Sequence, residues 1–183
     1  MKPLSENFTL HKYGIDVRLA QIEDSAFILA LRNSKRGQIL HATDDDLQKQ
    51  VEWMKEYKKR EKEGIDYYFI YSFEGKPFGV NRIVDIDYEN KSCSGGSWIC
   101  AEDTPFERAF ATLLIVREIK FDIIGVDYSY GYTLKINKQI QRMEKFMGGE
   151  IVRETETEIF YQTNREQYLK GMVKVKKALS LTD

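Results

Sequence analysis

A chain of 183 residues with 28 Lys plus Arg against 29 Asp plus Glu, net charge -1, has the size of one ordinary domain. The balance of signs excludes the basic footprint with which proteins neutralise nucleic-acid phosphates. Its 42% apolar and 13% aromatic residues and only three prolines support a sizeable core and rule out disorder over most of the length.

Tyr13 to Leu19 alternates as a short strand, with Ile15, Val17 and Leu19 on one side. Asp24 then stands where a carboxylate accepts the free N–H groups of a first turn, and Phe27, Ile28 and Leu31 follow at helical spacing. Thr43 with Asp46 three residues later predicts a second capped helix, its stripe Leu47, Val51 and Met54 beside Trp53 and Tyr57. The charge run Lys58 to Glu63 before Gly64 reads as a solvated helix end. A hairpin comes next, Asp66 to Phe73 and Phe78 to Asp87 about a turn at Glu74-Gly75-Lys76-Pro77. The chain then turns at Glu89-Asn90-Lys91 and returns through Gly95 to Ala101.

Thr104-Pro105-Phe106-Glu107 opens the best-marked helix, with Thr104 as the expected cap and Pro105 at the first helical position. Phe106, Ala109, Phe110, Leu113 and Leu114 are its inward face, and Gly125 stops it. Val126 to Thr133 is a strand, and Ile140, Met143 and Met147 mark a helix closed by Gly148-Gly149. Ile151 to Glu154 and Glu158 to Thr163 make a last hairpin. A helical tail from Asn164 puts Tyr168, Met172, Val175 and Leu179 on one side. Three antiparallel strands feeding a strand-helix-strand unit require a mixed sheet, because a helical crossover joins parallel neighbours.

The apolar runs Ala26 to Leu31 and Leu113 to Val116 fall far short of the ~20 residues that span a bilayer, and the first ten residues do not resemble a signal peptide. A cytoplasmic protein without a membrane partner is expected. Cys93 and Cys100 are too few for a disulfide framework and, with His11 and His41, show no metal-ligand spacing.

In order and spacing, residues from about Val17 to Thr163 resemble the GNAT superfamily of acetyl-CoA-dependent N-acetyltransferases. Val17-Arg18-Leu19, Glu23-Asp24 and Leu31-Arg32-Asn33 look like the start of its ribosomal-protein and amino-sugar branches. Gly96-Ser97-Trp98-Ile99 and Arg108-Ala109-Phe110-Ala111-Thr112 are similar to its cofactor strand and pyrophosphate-binding helix start. Asn137 followed by Met143, Lys145 and Gly148 is similar to its late segment.

The resemblance implies an α/β domain over residues 13–163, with a mixed sheet of about seven strands and helices on both faces. Residues 1–12 would be an N-terminal extension, and 164–183 an extra helix packed on the domain or on a partner, so a homodimer is a candidate assembly. It implies acetyl-CoA as cosubstrate, no metal and a small-molecule amine acceptor, with Trp98, Ile99, Cys100, Arg108, Ala109, Phe110, Ala111, Thr112, Asn137 and Lys145 toward the cofactor. Two positions depart from the family pattern. Phe106 and Ala109 stand where it has a basic residue and a glycine, leaving Arg108 as the compensating cation beside Glu107. Glu144 stands where many members have a tyrosine.

An amine must lose a proton before attacking a thioester, and Glu102, Asp85 and Asp87 are the available carboxylates. Asp85 and Asp87 share a face by the period of two, which equally suits a surface pair or a cationic substrate. A backbone N–H near Ile99 to Ala101 would polarise the carbonyl. Cys100 as a covalent nucleophile is the sharper alternative. Arg32, Asn33, His41, Trp53, Tyr67, Tyr68 and Arg82 are acceptor candidates, and Tyr128, Tyr130 and Tyr132 suit stacking on a sugar or base. An amino sugar or sugar nucleotide is the expected acceptor. A protein N-terminal amine and a non-catalytic binding module are the alternatives.

Overall fold

Ile15, Val17 and Leu19 do lie on one buried side of a strand, β2 (Ile15–Leu19), which pairs along both edges in the computed structural model of the chain; residues 1–37 and 44–179 are described. One neighbour is β1 (Thr9–Lys12), joined through a turn in which Tyr13 and Gly14 both have positive φ. Tyr13 is therefore a turn residue, and Thr9–Lys12, placed by the sequence in an extension, is the first strand. It was missed because an edge strand with both sides partly wet shows no clean alternation.

α1 (Ser25–Arg32) and α2 (Leu47–Lys62) follow. Asp46 caps α2, its Oδ1 accepting the N–H groups of Gln48 and Lys49 at 2.9 and 3.1 Å. The expected cap Thr43 and the acceptor candidate His41 lie outside the described residues. β3 (Tyr67–Phe73), β4 (Lys76–Asp87) and β5 (Ser92–Cys100) form an antiparallel meander. α3 (Phe106–Glu118) runs into a π-helical turn, Ile119–Ile124, which ends at left-handed Gly125. β6 (Tyr128–Leu134), α4 (Lys138–Phe146), β7 (Glu150–Glu154), β8 (Glu158–Asn164) and α5 (Arg165–Leu179) complete the chain.

The strands form one sheet in the order β1-β2-β3-β4-β5-β6-β8-β7, eight strands where about seven were expected. Every pair is antiparallel except β5–β6, as the α3 crossover demands. α3, α4 and α5 cover one face, burying Phe110, Leu114, Met143 and Val175 with Phe69 and Phe121. α1 and α2 cover the other, where Ile28, Met54 and Tyr57 meet Tyr68, Ile70, Val80 and Ile99.

Pro105, not Thr104, occupies the cap position of α3. Phe106, expected inside, is 51% exposed, because the helix starts at the rim of the sheet and turns inward only from Ala109. In β4 the register slips between Val84 and Asp87, and Asp85 adopts φ 52°, so the extra residue cancels the shared face expected for the two acids. Glu118 ties both chain ends to α3: it accepts from Tyr13 Oη at 2.7 Å and pairs with Lys12 and Lys176 at 3.1 and 3.4 Å. Among the described residues, no helix is long and apolar enough to cross a membrane.

Candidate active site

The parallel pair β5–β6 holds only from Ser92–Tyr128 to Ser94–Tyr130, after which the two strands part. The cause lies on the other edge of β5. Val80 faces Ile99 but Arg82 faces Gly96, so β5 carries one extra residue against β4, and Ser97 takes φ 52° at that bulge. Gly95 and Gly131 stand where the strands separate, and the gap opens into a cleft of about 730 Å³ walled by α3 and α4.

At its outer end the cleft meets the start of α3. The first N–H groups of a helix have no intrahelical acceptor, and the dipole is positive there. Thr104 Oγ1 is buried beside them, lines the cleft and has no hydrogen-bond partner among the described residues. Trp98 Nε1 donates to Thr112 Oγ1 at 2.8 Å, and Thr112 donates to the Ala109 carbonyl at 2.7 Å, which fastens this turn of helix to β5.

At its inner end the lining is polar: Lys120, Ser129, Arg117, Glu144, Tyr161 and Thr163. Lys120 donates to Ser129 Oγ at 3.0 Å, and burial holds its ammonium pKa below the usual lysine value. A side chain at Gly95 would stand 2.7 Å from Lys120 Nζ, so the glycine makes room for it. Arg117 and Glu144 are paired at 2.5 Å. The sequence did not single out Lys120, Arg117 or Tyr161. A lysine set between Ile119 and Phe121 was the one legible signal.

Of the residues expected toward a cofactor, Trp98, Ile99, Cys100, Ala109, Phe110 and Asn137 line the cleft. Ala111 and Thr112 are buried beneath it. Lys145 is exposed on the outer turn of α4, off the cleft lining. Arg108 points elsewhere: its guanidinium lies 3.6 Å from the Phe73 ring centroid, a cation–π contact, so it does not serve as the expected compensating cation in this arrangement. The ladder alternates, and because the Ala101 N–H donates to Phe78, the Cys100 N–H faces the gap.

Neither acid expected at the chemistry lines the cleft. Asp85 is exposed on the bulge, and Glu102 is exposed on the loop after β5, where its Oε1 accepts the Lys35 N–H at 3.3 Å. Asp87 caps the turn through the N–H groups of Glu89 and Asn90. Among the described residues, Glu144 is the one carboxylate lining the cleft, and no group of three His, Cys, Asp or Glu could hold a metal.

The acceptor candidates divide. Asn33 donates to Asp45 at 2.8 Å on the surface. Tyr68, Arg82 and Trp53 cluster on the α2 face, the Arg82 guanidinium 4.9 Å from the Trp53 ring and 5.6 Å from that of Tyr68. Burial pushes the Tyr68 phenol up to about 12, opposed by Arg32 and Arg82 beside it. Tyr67 instead lies in the opposite core, its Oη accepting the Leu4 N–H.

Burial also pushes the Cys100 thiol up to about 11, which disfavours the thiolate a covalent nucleophile needs. Between pH 9 and 11 the unfolded chain loses this proton while the folded chain keeps it. Stability is therefore expected to fall across that window, by on the order of 2–3 kcal/mol from this group. Urea midpoints at pH 8 and pH 10.5 read the loss, and Cys100→Ala should shrink it by about this group's share, the remainder coming from buried tyrosines such as Tyr57, Tyr68 and Tyr71, whose phenols burial also holds protonated. Parallel losses in both proteins would refute the assignment.

No protein-family model matches this chain, and no curated protein matches it. Among solved structures, apo FdhC, described as a nucleotide-linked sugar GNAT, superposes with a TM-score of 0.84 at 29% identity, covering 96% of this chain and 99% of its own. A spermidine N-acetyltransferase SpeG chimera from Vibrio cholerae and hSSAT superposes at 0.72 with 14% identity, covering 85% and 98%.

Proposed function

This chain belongs to the GNAT superfamily of N-acetyltransferases, and on that footing we propose that it moves an acetyl group from acetyl-CoA to the primary amine of a nucleotide-linked amino sugar. The observation that carries the reading is the β5–β6 gap, with the α3 N-terminus and the orphaned Thr104 hydroxyl at one end. That end fits a pyrophosphate, which helix N–H groups and a hydroxyl donor both serve. The gap itself gives an extended thioester arm a strand edge to lie along. Similarity over nearly all of both chains to a nucleotide-linked sugar GNAT supports the acceptor class. The cluster of Trp53, Tyr68, Arg82 and Arg32 on the α2 face supplies aromatic and cationic groups suited to it.

Acetyl transfer then runs by direct attack. The amine nitrogen reaches the thioester carbonyl through the gap, and the Cys100 N–H stabilises the negative charge that develops on oxygen. With Asp85 and Glu102 off the cleft, we assign removal of the amine proton to water within it.

Calorimetry with acetyl-CoA, then release of free CoA with a panel of nucleotide-linked amino sugars, spermidine and a peptide α-amine, tests the reading. Binding followed by fastest release with an amino-sugar nucleotide is expected. No binding defeats the reading outright; faster release with spermidine or the peptide defeats the acceptor. Thr104→Val should weaken acetyl-CoA binding about ten- to a hundredfold, the worth of one hydrogen bond to a charged group, with Tm held.

A further inference from the structure

The start of α3 offers a diphosphate its free N–H groups but no cation of its own. Glu107 stands in the first turn, Arg108 is laid on Phe73, and Glu102 and Asp103 are exposed on the loop before the helix. The helix dipole supplies only about half an elementary charge against these acids. A cation from another element is called for, and the cleft has one. Of the three cations that line it, Arg117 is held by Glu144 and Lys120 donates to Ser129, both at the inner end. The third, Arg36, belongs to the outer end.

Arg36 follows α1 and is separated from α3 in the chain by α2 and the β3–β5 meander. Its guanidinium reaches the end of β5, where Nη1 donates to the Ala101 carbonyl and Nη2 to the Glu102 carbonyl, both at 2.9 Å. The Thr104 N–H donates to that same Ala101 oxygen at 3.1 Å. One carbonyl therefore gathers the guanidinium and Thr104, a cleft-lining residue 8% exposed whose hydroxyl has no partner among the described residues. Two neutral acceptors orient the Arg36 fork without cancelling its charge, and its remaining N–H groups have no partner among the described residues. That charge is felt at Cys100, where it opposes the rise that burial imposes on the thiol.

We propose that Arg36 is the diphosphate-binding cation of the cosubstrate site, its fork pairing with the acetyl-CoA diphosphate that the α3 N–H groups and Thr104 also serve. The assignment rests on the acetyl-CoA reading above. A planar guanidinium matches two phosphate oxygens at once, and here it is already fixed at the place where the helix begins. Arg36 thereby does what the sequence assigned to Arg108. Neighbouring sequence could not show it, because β5 and the segment after α1 meet only in the folded chain.

Arg36→Gln removes the charge while keeping N–H donors for the β5 carbonyls. The acetyl-CoA Kd, by calorimetry, is expected to rise about ten- to a hundredfold, the range for a hydrogen-bonded charge pair. 3′-Dephospho-acetyl-CoA, which keeps the diphosphate, should lose as much. S-acetylpantetheine, which lacks the diphosphate and the nucleotide, should change less than about twofold by NMR titration, because it offers Arg36 no anion. Arg36→Lys, a charge without the fork, should fall between wild type and Arg36→Gln. Equal losses with all three ligands would make Arg36 a prop for the end of β5 and overturn the assignment, as would an unchanged acetyl-CoA Kd. A loss that disappears with 3′-dephospho-acetyl-CoA overturns it in favour of the 3′-phosphate. Each of these results leaves acetyl-CoA binding by the wild-type chain standing. A wild-type chain that binds no acetyl-CoA overturns both readings.

Discussion

Asp66→Ala is expected to destabilise the fold by about 3 kcal/mol and to disorder the aromatic cluster on the α2 face. The Asp66 carboxylate is 4% exposed and holds two guanidiniums at once, accepting from Arg60 Nε at 2.9 Å and from Arg82 Nη2 at 2.5 Å and Nε at 3.3 Å. Both guanidiniums also lie over the Trp53 ring, at 5.4 and 4.9 Å from its centroid. Removing the acid leaves two cations facing each other over an indole with no counter-charge. Breaking a buried pair costs about 3–5 kcal/mol, and the partial exposure of Arg60 places this case at the lower end. In a domain of this size that is a fall in Tm of roughly 6–12 °C. Differential scanning fluorimetry and tryptophan emission measure it, and a shift below about 2 °C would show that the carboxylate does not hold the cluster. The acceptor KM should rise as well, since Arg82 loses the contact that orients it.

Gly171→Ala should be as damaging for a different reason. Gly171 lies within α5, where glycine costs about 1 kcal/mol relative to alanine. The structure offsets that cost by close approach. A Cβ there would meet the Met147 carbonyl oxygen at 2.2 Å and its carbon at 2.7 Å, both backbone atoms that cannot rotate away. α5 would have to lift from the end of α4, withdrawing Tyr168, Met172 and Val175 from the core. A loss of about 3 kcal/mol is expected, the upper end of overpacking costs. Met147 follows directly on the helix that carries Glu144, so acetyl transfer should slow with it. Urea denaturation and limited proteolysis within residues 165–179 report the effect. The 70% exposed Val173 is the control, its alanine variant changing stability by less than about 0.5 kcal/mol. Equal stabilities for the two variants would remove the close-approach argument.

Much of the fold could be read locally because its signals are local. Alternation marked β2, aromatic content and a turn marked the β3–β4 hairpin, and the proline and glycine around α3 marked its ends. Signals failed where a partner distant in sequence decides the outcome. Thr104 has the chemistry of a cap, yet Pro105 takes that position and the Thr104 hydroxyl is left buried without a partner among the described residues. Arg108 has the charge for a phosphate, but α3 lays it on Phe73, a residue of β3. Asp85 and Asp87 were paired by a period that a bulge in β4 breaks.

The sequence by itself determined the order of elements from β2 onward, the mixed sheet required by the α3 crossover, and the resemblance to an acetyltransferase family, since propensity, capping and spacing are properties of neighbouring residues. Balanced charge excluded nucleic acid but named no site. Only the tertiary structure decided which groups meet. The gap exists because β5 carries one residue more than β4 and glycines stand at the fork, a matter of register between strands. Lys120, Glu144 and Tyr161 converge because strand pairing and helix packing bring three separate elements to one end of the cleft, and nothing in their own neighbourhoods along the chain records that distance.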